Sequence, residues 1–140
     1  MFPITKRLLK MPREIFSIIC DDIRFEQGNK LSLIGTYTDG ILVSSIPTVL
    51  PKLCLAQQFD DAKGVKKLKF ALRGPRLNIP PIEVQSEDPS KSKIRVSVVF
   101  TAVNFAEEGD YWFETYFGDE KEPAVKKKFF VNLRPDIKIQ

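Results

Sequence analysis

The chain has 140 residues, 43% of them hydrophobic and 29% charged, which suits one folded domain and excludes global disorder. Its net charge of +4 is that of Lys6, Arg7, Lys10 and Arg13, which precede every acid; the remaining chain is formally neutral, which weakens any argument from bulk charge to nucleic acid. With two Cys and no His, one chain lacks the ligands of a Cys-rich or His-based zinc site.

Residues 1–13 (MFPITKRLLKMPR) read as a basic arm, flexible or loosely docked, ahead of a folded unit over 14–134 and a short tail over 135–140. The arm is no secretory signal: the apolar run after it is cut by Asp21-Asp22, and no small-residue cleavage site follows. No apolar stretch approaches the roughly 20 residues that span a bilayer. The expectation is a cytoplasmic protein without membrane contact.

Ile15 to Cys20 is β-branched and aromatic and predicts a strand buried on both faces. A polar break at Asp21-Asp22 and a turn at Gln27-Gly28-Asn29 lead into a second strand, Lys30 to Tyr37. Asp39-Gly40 turns into a short third strand, Ile41 to Val43. Ser45-Ile46-Pro47 and Leu50-Pro51 interrupt regular structure, so this segment crosses between sheets or follows an edge. Leu53 to Ala56 resumes a strand that ends at Asp60-Asp61.

Val65 to Leu72 alternates strictly, with Leu68, Phe70 and Leu72 on one side and Lys67 and Lys69 on the other, the mark of a half-exposed strand. A proline-interrupted extended segment surrounds Pro80-Pro81. Gln85 to Ser92 is polar and reads as a loop. Ile94 to Phe100 alternates again. Tyr111 to Phe117 and Lys126 to Leu133 complete about eight short strands with turn signals between them. No stretch sustains a helical period. The fold class is therefore all-β, a single antiparallel β-sandwich with immunoglobulin-like Greek-key connections. Glu108-Gly109-Asp110-Tyr111 sharpens this. A Tyr at such a corner can bond the backbone a few residues upstream, and Phe105 to Leu133 resembles the last two strands of many immunoglobulin-like domains.

Three stretches carry a wider likeness: Cys20-Asp21-Asp22-Ile23-Arg24, Gly28 to Tyr37, and Leu50 to Leu55. Through them the sequence resembles a family of small bacterial, in part phage-borne, proteins known only as a domain of unknown function. The resemblance implies one immunoglobulin-like sandwich and brings no activity or binding site with it.

Candidate chemistry is sparse. Cys20 and Cys54 lie in apolar runs and read as buried free thiols. Cys20-Asp21-Asp22 beside Arg24 is the first place to look for chemistry: the acidic pair could bind a cation or polarise a group, and the thiol could act as a nucleophile, but no His is present to form the thiolate. Acids at strand ends, such as Asp60-Asp61 and Glu107-Glu108, would suit a C2-like calcium site if gathered at one pole, although the D-x-D spacing is absent. Lys63, Lys66, Lys67 and Lys69, with Lys126 to Lys128, would make a basic face on which Trp112 or Tyr116 could stack bases. The competing reading is that these lysines keep exposed strands soluble.

The expectation is a non-enzymatic binding module that needs no cofactor and takes a protein partner. Its contact surfaces would be a sheet edge, the loops Gln57–Gly64 and Gln85–Ser92, and the arm. Self-association would use an edge such as Ile41 to Val43. The alternative is a nucleic-acid-binding accessory protein using Lys6, Arg7, Lys10, Arg13, Lys66, Lys67 and Lys69.

Overall fold

Alternation decides the architecture. In several strands alternate side chains are apolar and buried, and the buried sides meet. The structure, a computed structural model, describes residues 11–135. Among these are nine strands: β1 (Arg13–Glu26), β2 (Lys30–Tyr37), β3 (Gly40–Val43), β4 (Thr48–Asp60), β5 (Lys67–Arg73), β6 (Ile82–Gln85), β7 (Ile94–Phe105), β8 (Gly109–Phe117) and β9 (Val125–Leu133). They form a four-stranded sheet, β2-β1-β4-β7, and a five-stranded sheet, β3-β9-β8-β5-β6.

Aromatic side chains join the two sheets. Phe59 of β4 meets Phe117 of β8 edge to face at 5.0 Å between ring centres, and Phe105 of β7 meets Tyr111 of β8 likewise at 4.9 Å. One polar thread crosses the same interior. Thr115 Oγ1 donates to Gln57 Oε1 at 2.8 Å, and Gln57 Nε2 donates to Ser17 Oγ at 2.8 Å. Ser17 in turn donates to the Glu14 carboxylate. Every polar atom of the thread is thereby satisfied, as burial demands.

Several expectations are corrected. The sheets are not wholly antiparallel, because β3 runs parallel to β9. Asp21-Asp22 does not end β1; the strand changes partner there. It pairs with β4 up to Cys20 and with β2 from Ile19 onward, while Asp21 accepts the Tyr37 hydroxyl and Asp22 binds Lys52 at 2.7 Å. Ile15 is exposed because it is the extra residue of a β-bulge between Glu14 and Phe16. Pro51 does not break β4. It lies beyond the last row shared with β1, where no neighbour asks for its missing N–H. Arg13, assigned to the arm, is the first residue of β1. Gln57 to Asp60, assigned to a loop, belongs to β4, with Gln57 buried.

Beyond Cys20 the β1–β2 hairpin turns back on itself. Arg95 stands in the same row as Gln58 and Phe16, four residues before Cys20 along β1. Asn29, at the hairpin tip, is nine residues past Cys20, about 30 Å away if the strand ran straight. Yet Arg95 Nη2 donates to both the backbone and side-chain oxygens of Asn29, at 3.0 and 2.9 Å. The hairpin therefore folds back over the outer side of the four-stranded sheet. Cys20 and Cys54, directly opposite one another there, are completely buried, and the Cys54 thiol touches the Asp21 carbonyl at 3.6 Å as the chain passes.

Candidate functional site

β8 carries the most chemistry per residue. Tyr111, Phe113, Thr115 and Phe117 point into the core, which sends Trp112, Glu114 and Tyr116 to the outer face of the five-stranded sheet. Register supplies their neighbours. Arg73 of β5 and Lys128 of β9 flank Trp112, Ala71 and Lys126 flank Glu114, and Lys69 flanks Tyr116.

The centre of this face is the Glu114 carboxylate, 8% exposed. It accepts from Arg73 Nε at 2.5 Å and from the Tyr116 hydroxyl at 2.9 Å, with Lys126 Nζ 3.9 Å away. Charge-assisted bonds of this kind offset the desolvation of the acid. Two lysines lie over the rings: Lys69 Nζ is 4.6 Å from the Tyr116 ring centre, and Lys126 Nζ is 5.2 Å from that of Trp112. Burial, then the bond to Glu114, raises the Tyr116 hydroxyl above its ordinary pKa, and the same carboxylate keeps Arg73 firmly protonated.

Of the sequence-predicted contact residues, Lys6, Arg7 and Lys10 lie outside the described residues. Arg13 is at the opposite sheet, near Asp60 and Asp61 at 3.4 and 3.7 Å. Lys66 precedes β5 and is exposed, its backbone oxygen accepting from Ser86. Lys67 is bound to Asp119 at 2.7 Å and lies 3.6 Å from Glu83; the bond to Asp119 raises its pKa. Lys69 alone joins the aromatic face. Lys126 to Lys128 is split by alternation: Lys126 and Lys128 face outward, and Lys127 takes the side that Phe129 occupies. Lys128 is matched by Asp110 at 3.3 Å. The outer face is thus charged but compensated, with Trp112 half-buried at its middle.

Sequence reasoning missed Glu114 and Arg73. The alternation in Tyr111 to Phe117 carries the signal for Glu114, since it shares a side with Trp112 and Tyr116. Arg73 could be placed only by the β5–β8 register.

Both thiols of the cysteine region are free and buried. Burial, then the nearby Cys54, pushes the Cys20 thiol up to about 11, and burial raises Cys54 as well. Asp22 is held low by Lys52. Among the described residues no three His, Cys, Asp or Glu gather where they could hold a metal ion. Among the same residues no helix is long and apolar enough to cross a membrane.

The chain belongs to DUF6941, a family of unknown function, whose model matches residues 15–128. No curated protein matches the sequence.

Proposed function

We propose that this member of DUF6941 is a non-enzymatic protein-binding module on an immunoglobulin-like sandwich, and that it reads its partner with the outer face of the β3-β9-β8-β5-β6 sheet. The strand order supports the fold reading. β9-β8-β5-β6 follows the G-F-C-C′ order of a variable-type domain, and β4 pairs with β7 as strand B pairs with E. Tyr111, near the start of β8, donates to the Glu107 backbone oxygen at 2.6 Å, as a tyrosine corner does.

The observation that carries the binding reading is Trp112, held under Lys126 beside the buried Glu114 carboxylate. Trp, Tyr and Arg dominate the energetics of protein interfaces, and side chains already fixed by neighbours lose little entropy on docking. Trp112 and Arg73 are such a pair, steadied by Lys126 and by the Glu114 carboxylate, while Tyr116, 6% exposed, anchors that carboxylate from within the face.

Nucleic acid is the second reading, favoured by lysines beside aromatic rings. Against it, Lys67, Lys126 and Lys128 each have a carboxylate within 4 Å.

The test is capture from nuclease-treated and untreated native lysate with the full chain and with Trp112→Ala, each at low and high salt. One protein retained at high salt and lost with Trp112→Ala is the expected result. Retention of nucleic acid alone, lost as salt rises, would replace this reading with the second.

A further inference from the structure

We propose that the free edge of β7 is a self-association site, at which a second copy of this chain adds its own β7 antiparallel across a two-fold axis. This rests on a different surface from the aromatic face and stands or falls independently of it.

Four strands end a sheet: β2, β7, β3 and β6. β3 and β6 have four residues each, and Pro80-Pro81 precedes β6. β2 opens on Lys30 and contains Gly35 in the left-handed region, φ +67°. These are ordinary ways of blunting an edge. β7 is different. It has 12 residues, IRVSVVFTAVNF, with no Pro, no Gly and one charge, Arg95, and its one left-handed residue, Ala102 at φ +52°, lies in its last third. Its ladder with β4 runs from Ile94 to Phe105, and among the described residues its other side makes no backbone hydrogen bond. A long, β-branched, unpaired edge is a template for another strand.

Apolar side chains lie along the edge as well, among polar ones such as Gln58, Gln85 and Ser97. Val99, midway along β7, is 44% exposed, and Phe25 of the folded-back hairpin is 75% exposed. Phe25, Val84, Ile94 and Val96 line a cleft of about 790 Å³ that runs along the first half of the strand. A strand added beside β7 would cover this cleft and shield Phe25.

Charge selects the occupant and its direction. Lys91, Lys93 and Arg95 stand at the start of β7, and Glu107, Glu108 and Asp110 follow its end. Among the described residues Lys91 and Lys93 enter no ion pair within 4 Å; Glu107 has Arg76 at 3.2 Å and is half exposed. A parallel copy would set the basic end against the basic end. An antiparallel copy, with Val99 opposite Val99 of its mate across the axis, sets Arg95 opposite Val103 and brings Lys91 and Lys93 toward Glu107 and Glu108. Two ends of opposite sign on one strand make the edge complementary to itself under a two-fold axis, the isologous arrangement of most dimers.

The test is sedimentation equilibrium of the full chain over a wide concentration range, at low and high salt. Three variants accompany it: Val99→Lys at the centre of the edge, Lys91→Glu/Lys93→Glu at its basic end, and Leu42→Lys on the β3 edge. Circular dichroism and thermal melting establish that each remains folded. The expected result is a dimer that Val99→Lys weakens by at least about tenfold, since it sets like charges beside one another. The double variant weakens it chiefly at low salt, and Leu42→Lys leaves it unchanged. A monomer at every concentration would overturn the proposal. So would a dimer that tolerates Val99→Lys or that Leu42→Lys abolishes.

Discussion

The hydroxyl of Tyr111 donates to the backbone oxygen of Glu107, 2.6 Å away and four residues upstream, and so closes the corner where the chain leaves β7 for β8. The ring is fully buried, stacked 5.8 Å from Phe129 and edge-on to Phe105. It also lies so close to Gly74 that a Cβ there would collide with it. Tyr111→Phe keeps the ring and loses the bond, so unfolding free energy should fall by about 1 kcal/mol, read from urea titration. Gly74→Ala should cost more, because the ring must move in a packed core. Equal stability of Tyr111→Phe and wild type would show that the corner bond contributes nothing net.

The two thiols make a prediction about pH. Cys20 is raised to about 11, so the folded state keeps a proton that the unfolded chain releases near the ordinary thiol value. Stability should hold below about pH 9 and decline as pH rises from about 9 toward 11. Tyr37, raised by burial and by its bond to Asp21, acts in the same direction at still higher pH. Cys20→Ala should flatten the part of the decline nearest pH 9, measured by thermal melts across the alkaline range. In the native protein both thiols should resist alkylation at pH 8 and react fully in denaturant.

Thr115→Val tests the polar thread. It removes the hydroxyl that donates to Gln57 and leaves the buried Gln57 Oε1 without that partner. A loss of about 1 to 3 kcal/mol is expected from chemical denaturation. Gln57→Leu combined with Thr115→Val should recover part of it, since removing both partners spares the unpaired group. A double variant as unstable as the sum of the singles would argue that shape rather than pairing matters there.

Arg95→Ala tests the hairpin. It deletes both hydrogen bonds to Asn29, leaving the tip without its tie to β7. Amide exchange of residues 23–33 should quicken while the core strands β4 and β8 keep their protection, because local opening draws on few contacts. Exchange that quickens throughout would mean that the hairpin is part of the global folding unit.

These relationships divide between what one dimension can encode and what it cannot. The all-β class, most strand positions, the inward side of β5 and β7, the crossing of the chain between sheets at Ser45-Ile46-Pro47, and the Tyr111 corner were legible in the sequence. Each rests on local causes: a period of two, a residue without an N–H, a turn rich in Gly and Asp. The failures share one origin. Whether Asp21-Asp22 ends a strand depends on Tyr37 and Lys52, which wait across the fold. Whether Pro51 breaks β4 depends on where β1 stops pairing.

The same division governs the candidate sites. Composition alone determined that neither zinc held by His or by several Cys nor His-assisted thiol catalysis fits this chain, because those residues are absent or too few. Only tertiary structure decided that Arg73, Glu114, Tyr116 and Lys126 meet, that the basic run at Lys126 to Lys128 is split by the pleat, and that among the described residues β7 has a strand on one side only. Alternation along a strand is fixed by backbone geometry within that strand. The pairing of one strand with another is a choice among distant segments, settled by which registers bury the most apolar surface and leave no polar group unpaired.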